Sequence, residues 1–136
     1  MKPIEIKVLV VMAGLIFTGL TFGQEKGELQ NEQRDFNLSP VELAEIVAQD
    51  SGEFIIIDVR TPPEYLAGAI PSAINIPYDL LANNLPTEDR AQKIIVYCRS
   101  GRRSSIARRT LEEFGFDQVY DFGAIGNWQG ELLVRE

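Results

Sequence analysis

The sequence predicts an α/β layered fold. Apolar runs of strand length alternate with segments of helical period, and two of those runs, Phe54 to Ile57 and Ile94 to Tyr97, are unbroken and rich in β-branched residues, as in strands buried on both faces. A chain of 136 residues with 45% hydrophobic content can bury one core, and 24% charged residues fit a globular domain. The net charge of -7 argues against nucleic acid as a general partner. Histidine is absent, which removes the commonest general base and the commonest metal ligand together. One cysteine cannot form an internal disulfide, so Cys98 is either a buried filler or the chemical centre.

The elements follow in chain order. Lys2 and Lys7 precede an apolar run from Val8 to Gly23, and the polar stretch from Gln24 to Glu28 follows at once. This is the layout of a secretory signal ending at Gly23, and the expectation is an exported, periplasmic protein, with a membrane attachment only if the leader is retained. Residues 24–35 read as a polar tether and 36–136 as the folded domain. Ser39, Pro40 and Glu42 spell an N-cap, a first-turn proline and a capping-box glutamate, with Leu38 and Leu43 placed to staple a helix over about Pro40 to Gln49. Phe54 to Ile57 is a strand ending in Asp58, Val59 and Arg60. Ala73 to Ile76 reads as a second strand closed by Pro77, and Tyr78 to Asn84 as a short helix stopped near Pro86.

Ile94 to Tyr97 is again a buried strand, and Ile106, Ala107, Leu111 and Phe114 recur at helical spacing from Ser104 to Phe114. Cys98 therefore sits at the carboxyl end of a strand, at the start of a tight loop that enters a helix, which is where open α/β sheets bind ligands. Gly115 is placed to end that helix, and Gln118 to Asp121 reads as a last strand.

This loop has the means to activate a thiol. Only the thiolate is nucleophilic, and a free cysteine with a pKa of about 8.5 is mostly protonated at neutral pH. A loop curling around Cys98 at Gly101 aims main-chain N–H groups at the sulfur, and the helix dipole adds about half a positive charge. Arg99, Arg102 and Arg103 crowd the same turn of an acidic protein, a local reversal of sign suited to an anion. Arg108 and Arg109, further along, read better as a solvated helix face.

The segment Val96, Tyr97, Cys98, Arg99, Ser100, Gly101, Arg102, Arg103, Ser104 resembles the active loop of rhodanese domains. The resemblance extends to Asp58, Val59, Arg60, Thr61, Glu64, Tyr65, Gly68, Ile70, Pro71, Ala73, Asn75, Ile76 and Pro77, and near the end to Gly123, Ile125 and Trp128. It covers about residues 36–131. It implies a three-layer α/β fold with a central, mainly parallel sheet of about five strands flanked by helices. It also implies double displacement: Cys98 takes the outer sulfur of a donor such as thiosulfate as a persulfide and passes it to cyanide or a thiol. Arg99, Ser100, Gly101, Arg102, Arg103 and Ser104 are then the substrate-binding residues. This chemistry calls for no metal and no organic cofactor.

Asp58, Arg60 and Glu64 are implied to support the loop. Asp58 is expected to cap the short helix that follows, Arg60 to form a buried pair, and Trp128 to be a core or rim residue. Ala69 stands where many relatives have histidine, Ser72 where many have glycine, and Ala124 where a second glycine closes the motif. Three alternatives differ in chemistry. A cysteine-dependent phosphatase resembles a pattern with arginine six positions after the cysteine, where this chain has Ser104. A persulfide carrier would receive sulfur from a partner protein, and a silent interaction module would not need the cysteine at all.

Overall fold

The computed structural model describes residues 36–136. The expected leader and tether lie outside the described residues. The elements run α1 (Pro40–Gln49), β1 (Phe54–Asp58), α2 (Pro62–Ala67), β2 (Ile74–Asn75), β3 (Lys93–Cys98), α3 (Arg102–Glu113) and β4 (Val119–Ala124). Short 3₁₀ turns occupy Leu81–Asn83 and Ile125–Asn127.

The four strands form one parallel sheet in the order β2-β1-β3-β4. The resemblance implied about five strands. The fifth place is held by a single parallel bridge from Asn37 to Asp121, whose N–H donates to the Phe36 carbonyl at 3.0 Å. One pair of bonds does not make a strand, so the sheet counts four.

Alternation along the strands builds the layers, because successive side chains point to opposite faces. Ile57, Val59, Ile94, Val96 and Cys98 pack with Ala107 and Leu111 of α3 on one face. Ile56, Ile95 and Tyr97 pack on the other face with Leu43, Ile46 and Val47 of α1 and Tyr65 of α2. Ile57, Ile94 and Ile95 are fully buried, each worth about 1.5–3 kcal/mol relative to exposure.

Local chemistry sets the helix ends. At α1 the Glu42 N–H donates to the Ser39 hydroxyl at 3.2 Å and the Ser39 N–H to the Glu42 carboxylate at 3.1 Å, the reciprocal capping box the sequence predicts. Leu38 packs against the cluster that buries Leu43. α3 ends as expected at Gly115, whose φ of +99° suits glycine; Gly115 N–H donates to the Glu112 carbonyl and Phe116 N–H to the Leu111 carbonyl.

Other boundaries differ from expectation. Tyr78 to Asn84 is not an α-helix: only the 3₁₀ turn Leu81–Asn83 forms, while Tyr78 N–H donates to the Val59 carbonyl and Leu81 is buried in the core. α3 begins at Arg102, two residues before the expected start at Ser104. β2 is shorter than Ala73 to Ile76. β4 runs on to Ala124, because β3 offers it a ladder past Asp121, with a bulge that leaves Phe122 without a partner of its own.

Candidate active site

Cys98 is the last residue of β3, directly beside β4, where Ala124 is its register partner. The chain then leaves the sheet and curls through Arg99, Ser100 and Gly101 into α3. Gly101 is the N-cap of α3 with φ +102°, a conformation that a side chain rarely adopts, and it lies against Gly123 of β4. The curl turns main-chain donors back onto the sulfur. Gly101 N–H donates to Cys98 Sγ at 3.0 Å and Ser104 N–H at 3.3 Å. Ser104 is fully buried, and its hydroxyl donates to the Gly101 carbonyl at 3.2 Å, which closes the turn.

Cys98 is also fully buried. Burial pushes its thiol up, but the N–H groups of Ser104 and Gly101, with smaller contributions from the Ser104 hydroxyl and the Ser100 N–H, outweigh it. The thiol therefore ionises below its ordinary range. In so dry a setting each of these dipoles acts at low dielectric.

The three arginines of the loop have separate fates. Arg99 is exposed. Arg102 is exposed and lies over the Tyr78 ring at 5.9 Å. Arg103 turns instead to Glu64 and grips it with both guanidinium arms, Nη1 to Oε1 at 2.9 Å and Nη2 to Oε2 at 3.1 Å. That bond, aided by Thr61, holds the Glu64 carboxyl down at about 2. Arg103 is thus a neutralised structural cation, and the uncompensated positive charge of the loop belongs to Arg99 and Arg102. Arg108 pairs with Glu112 and Arg109 with the Ser105 hydroxyl, along the helix.

Asp58 does not cap α2. Thr61 does, accepting from Glu64 N–H, while the Glu64 carboxylate accepts from Thr61 N–H at 3.1 Å. Asp58 is fully buried at the end of β1 beside Tyr97 and accepts from Arg60 Nε and Nη2 and from the Tyr97 hydroxyl at 2.8 Å. Arg60 forms the expected buried pair and also donates to the Gly68 carbonyl at 2.7 Å. Burial, then the adjacent Asp58 carboxylate, holds the Tyr97 phenol well above its usual value, so it stays protonated and donates; it also accepts from Ile70 N–H at 3.0 Å. Asn75 completes the arrangement by donating to the Asp58 and Arg60 carbonyls. Sequence reasoning missed Tyr97, Thr61 and Tyr78. A lone tyrosine in a buried aliphatic strand signals a polar partner, and Thr61, Pro62, Glu64 spells a second capping box. Trp128 packs partly buried against the α1 face of the sheet, as a core or rim residue should.

Ala69 is fully buried and exchanges both main-chain hydrogen bonds with Leu133. Ser72 adopts φ +74°, a left-handed conformation that favours glycine. Among the described residues no cluster of three metal-ligating side chains occurs.

A single thiol seated in main-chain N–H groups, at the carboxyl end of a parallel strand and the start of a helix, defines an α/β domain built around one cysteine. The chain belongs to the rhodanese family: the model of the rhodanese-like domain matches residues 39–131. Bacillus subtilis YtwF is 34% identical over 98 residues, covering 72% of this chain and 94% of its own. The Escherichia coli thiosulfate sulfurtransferase PspE is 35% identical over 71 residues, 51% of this chain and 68% of its own. The solved structure of the human single-domain sulfurtransferase TSTD1 aligns with a TM-score of 0.61 at 27% identity, covering 68% of this chain and 93% of that one. The enzyme class is sulfurtransferase of the rhodanese type.

Proposed function

We propose that the protein is an exported sulfurtransferase that moves sulfane sulfur from thiosulfate or a persulfide donor to a thiol or cyanide, through a persulfide on Cys98. The observation that carries this reading is the pair of N–H groups on Cys98 Sγ. They stabilise a thiolate without a base, in a chain that has no histidine. In the first half-reaction the Cys98 thiolate attacks the outer sulfur of thiosulfate. A sulfur–sulfur bond to Cys98 forms, the donor's own sulfur–sulfur bond breaks, and sulfite leaves with the electron pair. In the second, cyanide or a thiolate attacks the terminal sulfur and Cys98 departs as the thiolate, the same stabilised form it started from. Neither step needs a proton carried by a side chain. The six-residue turn from Cys98 to Arg103, with Ser104 where a phosphatase carries arginine, favours sulfur over a phosphoryl group.

Cys98→Ser keeps the shape of the turn and removes the sulfur. Sulfite release from thiosulfate should fall to background while the unfolding midpoint stays near that of the parent; transfer near the parent rate would remove Cys98 from the mechanism. Export rests on the basic and apolar pattern of Met1 to Gly23. Cell fractionation with N-terminal sequencing should find the protein outside the cytoplasmic membrane, and soluble cytoplasmic protein that retains Met1 would refute it.

A further inference from the structure

We infer that Glu64 is a positioning residue for the Cys98 thiolate, acting through Arg103. The inference rests on Cys98 being the reacting sulfur. One carboxylate ties together two segments that meet at the loop. Glu64 Oε1 accepts from Thr61 N–H at 3.1 Å and from the Thr61 hydroxyl at 2.9 Å, which anchors the carboxylate to the turn leaving β1. The same carboxylate takes both arms of Arg103. Arg103 is the residue immediately before Ser104, and the peptide joining them carries the N–H that meets Cys98 Sγ at 3.3 Å. The fork therefore fixes the first turn of α3, and with it the direction of a cradle dipole.

Both partners are only partly exposed, 18% for the Arg103 side chain and 28% for Glu64, and a two-armed pair constrains orientation as well as distance. A point charge in place of the guanidinium would keep the attraction and lose the direction. Cancellation of the Arg103 charge beside the thiolate is the competing role, and the two predict opposite signs. Loss of positioning weakens the N–H bond and raises the thiol pKa, whereas loss of cancellation frees a cation and lowers it.

The experiment is the pH dependence of Cys98 alkylation by iodoacetamide in the full chain, which reads the thiolate without any sulfur transfer. Arg103→Lys and Glu64→Asp both conserve charge and break the fork; each should raise the midpoint by about half a unit or more. Each should also lower kcat for thiosulfate more than it changes KM. Arg103→Lys leaves the Thr61 cap untouched, so a folding defect in Glu64→Asp, visible as a lowered unfolding midpoint, does not remove the test. Unchanged midpoints in Arg103→Lys would overturn the inference, as would a lowered midpoint in Glu64→Gln with Arg103→Lys unmoved, which would assign the pair to charge cancellation. A wild-type protein that shows a titrating thiolate but gains no sulfur from thiosulfate would instead count against the proposed function.

Discussion

At the scale of single residues, the charges around Cys98 divide into those committed to the fold and those left for a ligand. Asp58 with Arg60, and Glu64 with Arg103, are paired and at least partly buried, and they present no net charge to a donor. Arg99 and Arg102 remain exposed at the turn. Were thiosulfate, the proposed donor, to approach a Cys98 thiolate, these two side chains would lower the electrostatic cost of bringing a dianion there. Exposed charges are worth up to about 1 kcal/mol each. Replacing both by alanine should raise the KM for thiosulfate about tenfold, which corresponds to about 1.4 kcal/mol. The difference between parent and variant should shrink as salt rises from 0.1 to 1 M, because the Debye length falls from about 10 Å to about 3 Å. Equal KM values across that range would place both arginines on the solvated surface. The same accounting sets Arg103 apart, although the sequence presents it as one of three equivalent neighbours. Nothing within the loop reveals that its partner lies 39 positions earlier.

At the scale of elements, the carboxyl ends of β1 and β3 are joined by hydrogen bonds on the Tyr97 face as well as by apolar packing on the Cys98 face. Tyr97 donates to Asp58 and accepts from Ile70 N–H, all three buried, so the residue before Cys98 is tied to β1 and to the turn that follows α2. Tyr97→Phe keeps the ring and removes one oxygen. It strands the Ile70 N–H and deprives the Asp58 carboxylate of a donor, and it should cost about 2–4 kcal/mol of unfolding free energy. Urea denaturation should show a lower midpoint at unchanged slope. A loss below about 0.5 kcal/mol would mean that water replaces the hydroxyl and that the network is not part of the scaffold. Asp58 illustrates why such elements are hard to read in advance. Its position before Val59, Arg60 and Thr61 matches a helix cap, and only the fold reveals Tyr97 above it and Thr61 in the capping place.

At the scale of the whole molecule, what was legible in the sequence is what local chemistry decides. The capping box at Ser39, the strands over Phe54 to Ile57, whose first two residues are only partly buried, and Ile94 to Tyr97, the glycine stop at Gly115 and the place of Cys98 at a strand end all follow from residues within a few positions of one another. What was not legible depends on partners far along the chain. β4 reaches Ala124 because β3 lies beside it, although the strand reads from sequence as ending at Asp121. The segment after Pro77 reads as a helix, yet it is tied to Val59 at Tyr78 N–H, buries Leu81 and forms only a 3₁₀ turn. The fifth place in the sheet holds one bridge at Asn37, too little for a pattern to show. The layered arrangement nonetheless brings the sole cysteine of the chain to the edge where the loop, α3 and β4 meet, so one thiol accounts for the whole chemical proposal. Its most direct test is the intact mass of the purified protein before and after incubation with thiosulfate, then again after cyanide. A gain of one sulfur on Cys98 that cyanide removes is the predicted result, and an unchanged mass alongside measurable sulfite release would contradict a persulfide on this enzyme.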